Sequence, residues 1–88
     1  MKHEIMETND LAIFGEAVKR VRLKLGFTQN KAAQKAFISL TQLKEIESGK
    51  RDARTATICR MAESWGISPA EFYLDFAPKT TKGGSRKK

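Results

Sequence analysis

The sequence predicts an all-α fold of five short helices, and three observations support this. Apolar residues recur at steps of three and four along the chain, which is the spacing of a buried helical face. Residues that favour helix starts precede these apolar stretches, and glycine follows several of them. No segment shows the apolar–polar alternation of a half-buried strand.

The first predicted helix begins at an N-cap among Thr8, Asn9 and Asp10 and ends at Gly26. Its buried face consists of five apolar residues at helical spacing: Leu11, Phe14, Val18, Val21 and Leu25. The preceding residues 1–9 contain acids and no long apolar segment. We therefore expect a flexible N-terminal arm there and no signal peptide.

The second and third predicted helices are separated by only about three residues, 37–39. Thr28 is the N-cap of the second helix, which runs to about Ala36, and Ser39 is the N-cap of the third, which Gly49 ends. Two short helices with so tight a connection form a helix-turn-helix arrangement. The second helix of such a pair enters the major groove of DNA.

The fourth helix is predicted from about Arg54 to Trp65 and ends at Gly66. Residues 68–71, Ser-Pro-Ala-Glu, form a capping box with proline at the first helical position, and open a short fifth helix. So short a helix leaves apolar surface exposed, which indicates a protein contact on a small domain. The sequence thus predicts a homodimer with an interface of Tyr73, Leu74 and Phe76.

Charge is distributed unevenly over the 88 residues, whose net charge is +7. Residues 1–10 carry −2, residues 11–60 carry +7, residues 61–77 carry −3 and residues 78–88 carry +5. A basic front with an acidic back suits a protein that binds a polyanion through one face. We take residues 10–77 as the folded domain and residues 78–88, which lack apolar residues that could anchor them, as a disordered basic tail.

Several function classes are disfavoured. The sequence shows no nucleophile–base constellation, phosphate-binding loop or metal-ligand spacing, so we expect no enzyme, metal or cofactor. Cys59 is the single cysteine and is expected to pack as a small hydrophobe. No apolar run approaches the ~20 residues of a membrane span, so we expect a cytoplasmic, nucleoid-associated protein.

From Phe14 to about Phe72 the chain resembles the Cro/repressor (Xre-like) helix-turn-helix family, whose members have a lambda-repressor-like fold. Three segments are similar to the family pattern, in register: FGEAVKRVRLKLGFTQNKAA, ISLTQLKEIESGKR and ICRMAESWGISPAEF. The resemblance implies a sequence-specific regulator that binds double-stranded DNA, most simply a dimeric repressor on a near-palindromic operator. A phage repressor, a restriction–modification controller and an antitoxin all fit. The alternative is a module that holds a partner protein, such as a toxin.

The resemblance also implies a role for individual residues. The outward face of the third helix is where the family contacts bases, here Leu40, Thr41, Lys44 and Glu45. Phosphate contacts are expected at Gln29, Ser39, Gln42, Lys50 and Arg51. Arg22 and Glu47 correspond to an internal ion pair of the family, a structural role.

One departure from the family concerns the turn between the second and third helices, where glycine is usual and Phe37 stands here. A bulky residue at positive φ is unfavourable. Either the turn differs locally, or Phe37 fills space beside the small Ala32.

Overall fold

The computed structural model describes residues 2–74, with side chains from Asp10 onward. Its four α-helices are α1 (Lys2–Lys24), α2 (Gln29–Ala36), α3 (Leu40–Glu47) and α4 (Thr55–Trp65). A 3-10 helix, Pro69–Tyr73, stands where the sequence predicts a fifth helix. Since residues 2–74 contain no strand, the predicted all-α fold is confirmed. Phe76 and the predicted tail, 78–88, lie outside the described residues.

The predicted N-caps of α2 and α3 are confirmed. Thr28 Oγ1 accepts a hydrogen bond from the N–H of Lys31, and Ser39 Oγ accepts one from the N–H of Gln42, both at 3.0 Å. Each bond satisfies one of the N–H groups that a helix start leaves without an intrahelical partner. The cap of Ser39 matters most for the site because it fixes where α3 begins.

The start of α1 differs from the prediction. The sequence predicts an arm over residues 1–9 and an N-cap among residues 8–10, whereas the backbone is helical from Lys2 onward. Residues 2–9 contain neither glycine nor proline, and their lysine, glutamates and methionine favour helix. With nothing to break the helix, the expected capping residues become interior positions.

The core lies where the four α-helices and the 3-10 helix meet. The largest fully buried side chains are Phe72, Leu43, Ile46, Met61 and Val18. Phe72 packs edge-on against Phe14 of α1 and Trp65 of α4, with ring centroids 5.9 and 5.8 Å away. Trp65 Nε1 also donates to the carbonyl oxygen of Ala32 at 3.1 Å, which joins α4 to α2. The packing of this core fixes the positions of α2 and α3 relative to α1 and α4.

Two side chains expected in the core lie at the surface. Leu25, which follows the last residue of α1, is 36% exposed. Cys59 is exposed on α4. The buried side of α4 is formed by residues 57, 58, 61, 62 and 65, and position 59 points away from it.

Candidate nucleic-acid interface

α3 has one face in the core and another at the surface. Leu43 and Ile46 are fully buried, and Glu47 is 7% exposed. The accessible residues are Thr41 and Lys44, which are exposed, and Leu40, Gln42 and Glu45, which are half-buried. All four residues for which base contacts are expected therefore belong to the accessible side, which we call the α3 face (Leu40, Thr41, Lys44, Glu45).

A buried ion pair fixes α3 to α1. Arg22 Nε lies 2.7 Å from Glu47 Oε2, and Arg22 Nη2 lies 3.1 Å from Glu47 Oε1. Arg22 Nη1 also donates to the carbonyl oxygen of Phe27 at 2.8 Å. With two bonds to the carboxylate and one to the backbone, the guanidinium is well satisfied in a site where water has little access.

Gln29 belongs to the same network. Its Nε2 donates to Glu47 Oε1 at 3.0 Å, so the side chain at the first position of α2 is tied to α3. Gln29 was expected to bind phosphate. The structure leaves its second amide N–H and the free backbone N–H groups at the start of α2 for that contact.

Glu45 and Arg51 form a second pair, which the sequence did not predict. Arg51 Nε and Nη2 both lie 2.8 Å from Glu45 Oε1. The resemblance assigned Glu45 to bases and Arg51 to phosphate, as separate contacts. No helical spacing signals their pairing, because Arg51 lies in the loop beyond α3.

The other expected phosphate contacts are placed around the α3 face. Lys50 is exposed just beyond the end of α3, and its backbone N–H donates to the carbonyl oxygen of Glu45 at 2.9 Å. Ser39 is exposed at the N-cap, where its hydroxyl can still donate its own proton to an anion. Gln42 is half-buried on the first turn.

The turn before α3 contains a strained residue. Phe37 has φ 57° and ψ 43°, and it is the only residue other than glycine with positive φ between Lys2 and Leu74. Its side chain is 81% exposed. Both expectations for Phe37 are therefore wrong. The turn keeps the left-handed conformation usual for glycine, and the ring does not fill space in the core.

The end of the described chain exposes apolar surface. Tyr73 is 43% and Leu74 54% exposed, and Phe76 lies beyond the described residues. Tyr73 lines a groove of about 580 Å³ together with Asp10 and Asp52. Partial burial, then Cys59 and Asp52, raise the pKa of Tyr73. The carboxylates that line this groove make it unsuitable for a phosphate backbone.

The described part of the chain gives no support for a metal site or for a membrane span. Among these residues, no group of three or more potential metal ligands lies together. No helix within 2–74 combines the length and apolar character of a membrane span.

Comparisons with known proteins agree with this geometry. The helix-turn-helix family profile matches residues 18–72. None of the curated protein sequences matches the chain. Among solved structures, the chain is similar to the restriction-modification controller protein C.AhdI from Aeromonas hydrophila. The two share 25% identity with a TM-score of 0.71, over 73% of this chain and 97% of that one.

Proposed function

The chain belongs to the helix-turn-helix family, and we propose from this that it regulates transcription by binding specific sequences of double-stranded DNA. The observation that carries the proposal is the position of α3. Its inner face is fixed by Leu43, Ile46 and the Arg22–Glu47 pair, while the α3 face stays open to solvent. A helix anchored in this way can enter the major groove without rearrangement.

The residue types of the α3 face suggest how bases are recognised. Thr41 offers a hydroxyl to a base edge and a methyl group to thymine, and Leu40 offers apolar contact to thymine methyl groups. Lys44 can reach guanine or a phosphate. Because the face lacks arginine and glutamine, methyl contacts and DNA shape should contribute much of the specificity.

Around this face, phosphate contacts would set register and affinity without selecting sequence. We assign this role to the polar residues that border α3 and begin α2: Gln29, Ser39, Gln42, Lys50 and Arg51. Lys50 is the simplest case, since it is exposed and its side chain has no hydrogen-bond or ion-pair partner within residues 10–74.

We further propose that two copies bind a near-palindromic operator through half-sites about 34 Å apart. The exposed Tyr73 and Leu74, together with Phe76 two residues further along the sequence, would form the contact between copies. A partner protein such as a toxin would need the same apolar surface, so the oligomeric state distinguishes these two possibilities. The regulator would repress or activate a promoter by occupying it, on cytoplasmic DNA, with no catalysis or cofactor.

Similarity to a restriction-modification controller favours that setting over a phage repressor or an antitoxin. The experiment that tests the proposal is selection of bound fragments from a random DNA pool. We expect a two-fold symmetric sequence to be enriched. A variant with Thr41→Ala and Lys44→Ala should lose the enrichment while keeping its fold. Failure of the wild-type protein to enrich any sequence would overturn the proposal.

A further inference from the structure

The Glu45–Arg51 pair lies at the edge of the α3 face. Two nitrogens of the Arg51 guanidinium, Nε and Nη2, each lie 2.8 Å from the same carboxylate oxygen of Glu45. The side chains are 49% exposed for Arg51 and 38% exposed for Glu45. Exposed ion pairs contribute little to stability, about 0–1 kcal/mol. The fold therefore does not need this pair.

The way in which the pair forms leaves part of Arg51 available. A guanidinium has five N–H donors arranged as a rigid fork. Glu45 uses the side formed by Nε and Nη2, so the end formed by Nη1 and Nη2 can still bind a second acceptor. Two parallel N–H groups at this end match either the N7 and O6 atoms of guanine or a phosphate.

Without Arg51, the negative charge of Glu45 would be unfavourable beside DNA. A free carboxylate on the α3 face would be repelled by the phosphates on both sides of the groove. Pairing with Arg51 offsets that charge. It also restricts a long side chain to one conformation before DNA binds, which lowers the entropy lost on binding.

We propose that Glu45 is a positioning residue that holds Arg51 in place, and that Arg51 recognises a guanine in the major groove. This inference rests on the proposed function. It replaces two roles given above, both of which came from the sequence: Glu45 then contacts no base directly, and Arg51 selects sequence instead of binding phosphate. Arg51 would also place an arginine beside the α3 face, which contains none of its own.

The test uses the full-length protein and the operator obtained by selection. Dissociation constants are measured for that operator and for variants in which each base pair is changed in turn. For Arg51→Ala we expect discrimination to fall about 5- to 150-fold at one G·C pair per half-site. Glu45→Ala should lose discrimination at that same pair. The double variant should be no worse than Arg51→Ala alone, because the two residues act as one unit.

Arg51→Lys provides a control for charge. Lysine keeps the positive charge but cannot present two parallel N–H groups, so we expect it to lose discrimination at the same base pair. Arg60→Ala and Glu63→Ala remove one charge of each sign from exposed positions on α4. Both should leave discrimination at every base pair unchanged.

Two results would overturn the inference. If Glu45 itself binds cytosine, Glu45→Ala and Arg51→Ala will affect different base pairs and their effects will add. If Arg51 binds only phosphate, Arg51→Ala will weaken all sequences alike and lower the salt dependence. In either case the wild-type protein still selects an operator, so the proposed function stands. If it selects none, the proposed function itself has failed.

Discussion

Gly15 lies so close to Ile46 that a β-carbon on Gly15 would be 2.4 Å from the carbonyl oxygen of Ile46. The carbonyl oxygen of Glu47 would be 2.7 Å from the same carbon. Both oxygens belong to the backbone of α3, which cannot move aside as a flexible side chain would. The missing side chain at position 15 therefore sets how closely α1 approaches α3.

Gly15→Ala should destabilise the protein despite the better helix propensity of alanine. Separating α1 from α3 disturbs tightly packed atoms, and overpacking of this kind costs about 1–3 kcal/mol. The measurement is the free energy of unfolding in urea. Glu16→Ala, at the exposed neighbouring position, is the control and should be nearly neutral. Equal stability of Gly15→Ala and wild type would contradict the close contact.

Glu47→Ala should be more damaging still. It leaves the buried guanidinium of Arg22 without its carboxylate, and breaking a buried pair in this way costs about 3–5 kcal/mol. The loss should appear as a lower urea midpoint and a lower Tm.

Replacing both partners tests whether the cost is that of the unpaired charge. We expect Arg22→Met with Glu47→Leu to recover part of the stability, because no buried charge remains. Recovery should be incomplete, since the carbonyl oxygen of Phe27 and the amide of Gln29 also lose a partner. A double variant less stable than Glu47→Ala would show that the cost is not due to the unpaired charge.

Phe37→Gly should raise stability. A residue other than glycine in the left-handed conformation costs roughly 1–2 kcal/mol, and the greater chain entropy of glycine offsets part of that gain. The ring is 81% exposed, so its removal sacrifices no core packing. We expect a net gain of about 0.5–1 kcal/mol, or several degrees in Tm. Phe37→Ala keeps the β-carbon, and an equal gain in that variant would show that backbone strain is not the cause.

The sequence predicts the fold well because the signals of the helices are local. Spacing of apolar residues locates α2, α3 and α4, and Thr28 and Ser39 mark two helix starts. The predicted start of α1 was wrong because capping residues show where a helix can begin, not where it must begin. The prediction that Phe37 fills space in the core was wrong for another reason. Whether the side chain of a turn residue is buried depends on what packs over the turn.

The site is harder to predict from the sequence than the fold. The inward and outward positions of α3 follow from its helical period, so the α3 face could be located. The bonds of Gln29 to Glu47 and of Arg51 to Glu45 cross from one element to another. They depend on side-chain conformations that periodicity does not determine. The close approach at Gly15 is indicated in the sequence only by the glycine itself. Glycine is intrinsically unfavourable within a helix, and here it lies within an apolar helical pattern.

Lys50→Ala should weaken binding to all DNA sequences by the same factor. If Lys50 binds one phosphate, its loss lowers the slope of log K against log salt by about 0.9 per subunit bound. Thr41→Ala is the contrasting variant, since it should change preference at one base pair by about 1–3 kcal/mol. Titrations of operator and unrelated DNA at several salt concentrations measure both effects. Sequence-dependent weakening by Lys50→Ala would contradict the phosphate assignment.

Leu74→Lys should shift the protein from dimer to monomer without unfolding it. Leu74 is 54% exposed, so a lysine there is tolerated in a single copy but places a charge in the proposed apolar contact. Leu23→Lys is the matched control, because Leu23 is 57% exposed on α1 and should leave the dimer intact. Sedimentation equilibrium gives the mass of each variant. A monomeric wild type, or a dimer unaffected by Leu74→Lys, would exclude this interface.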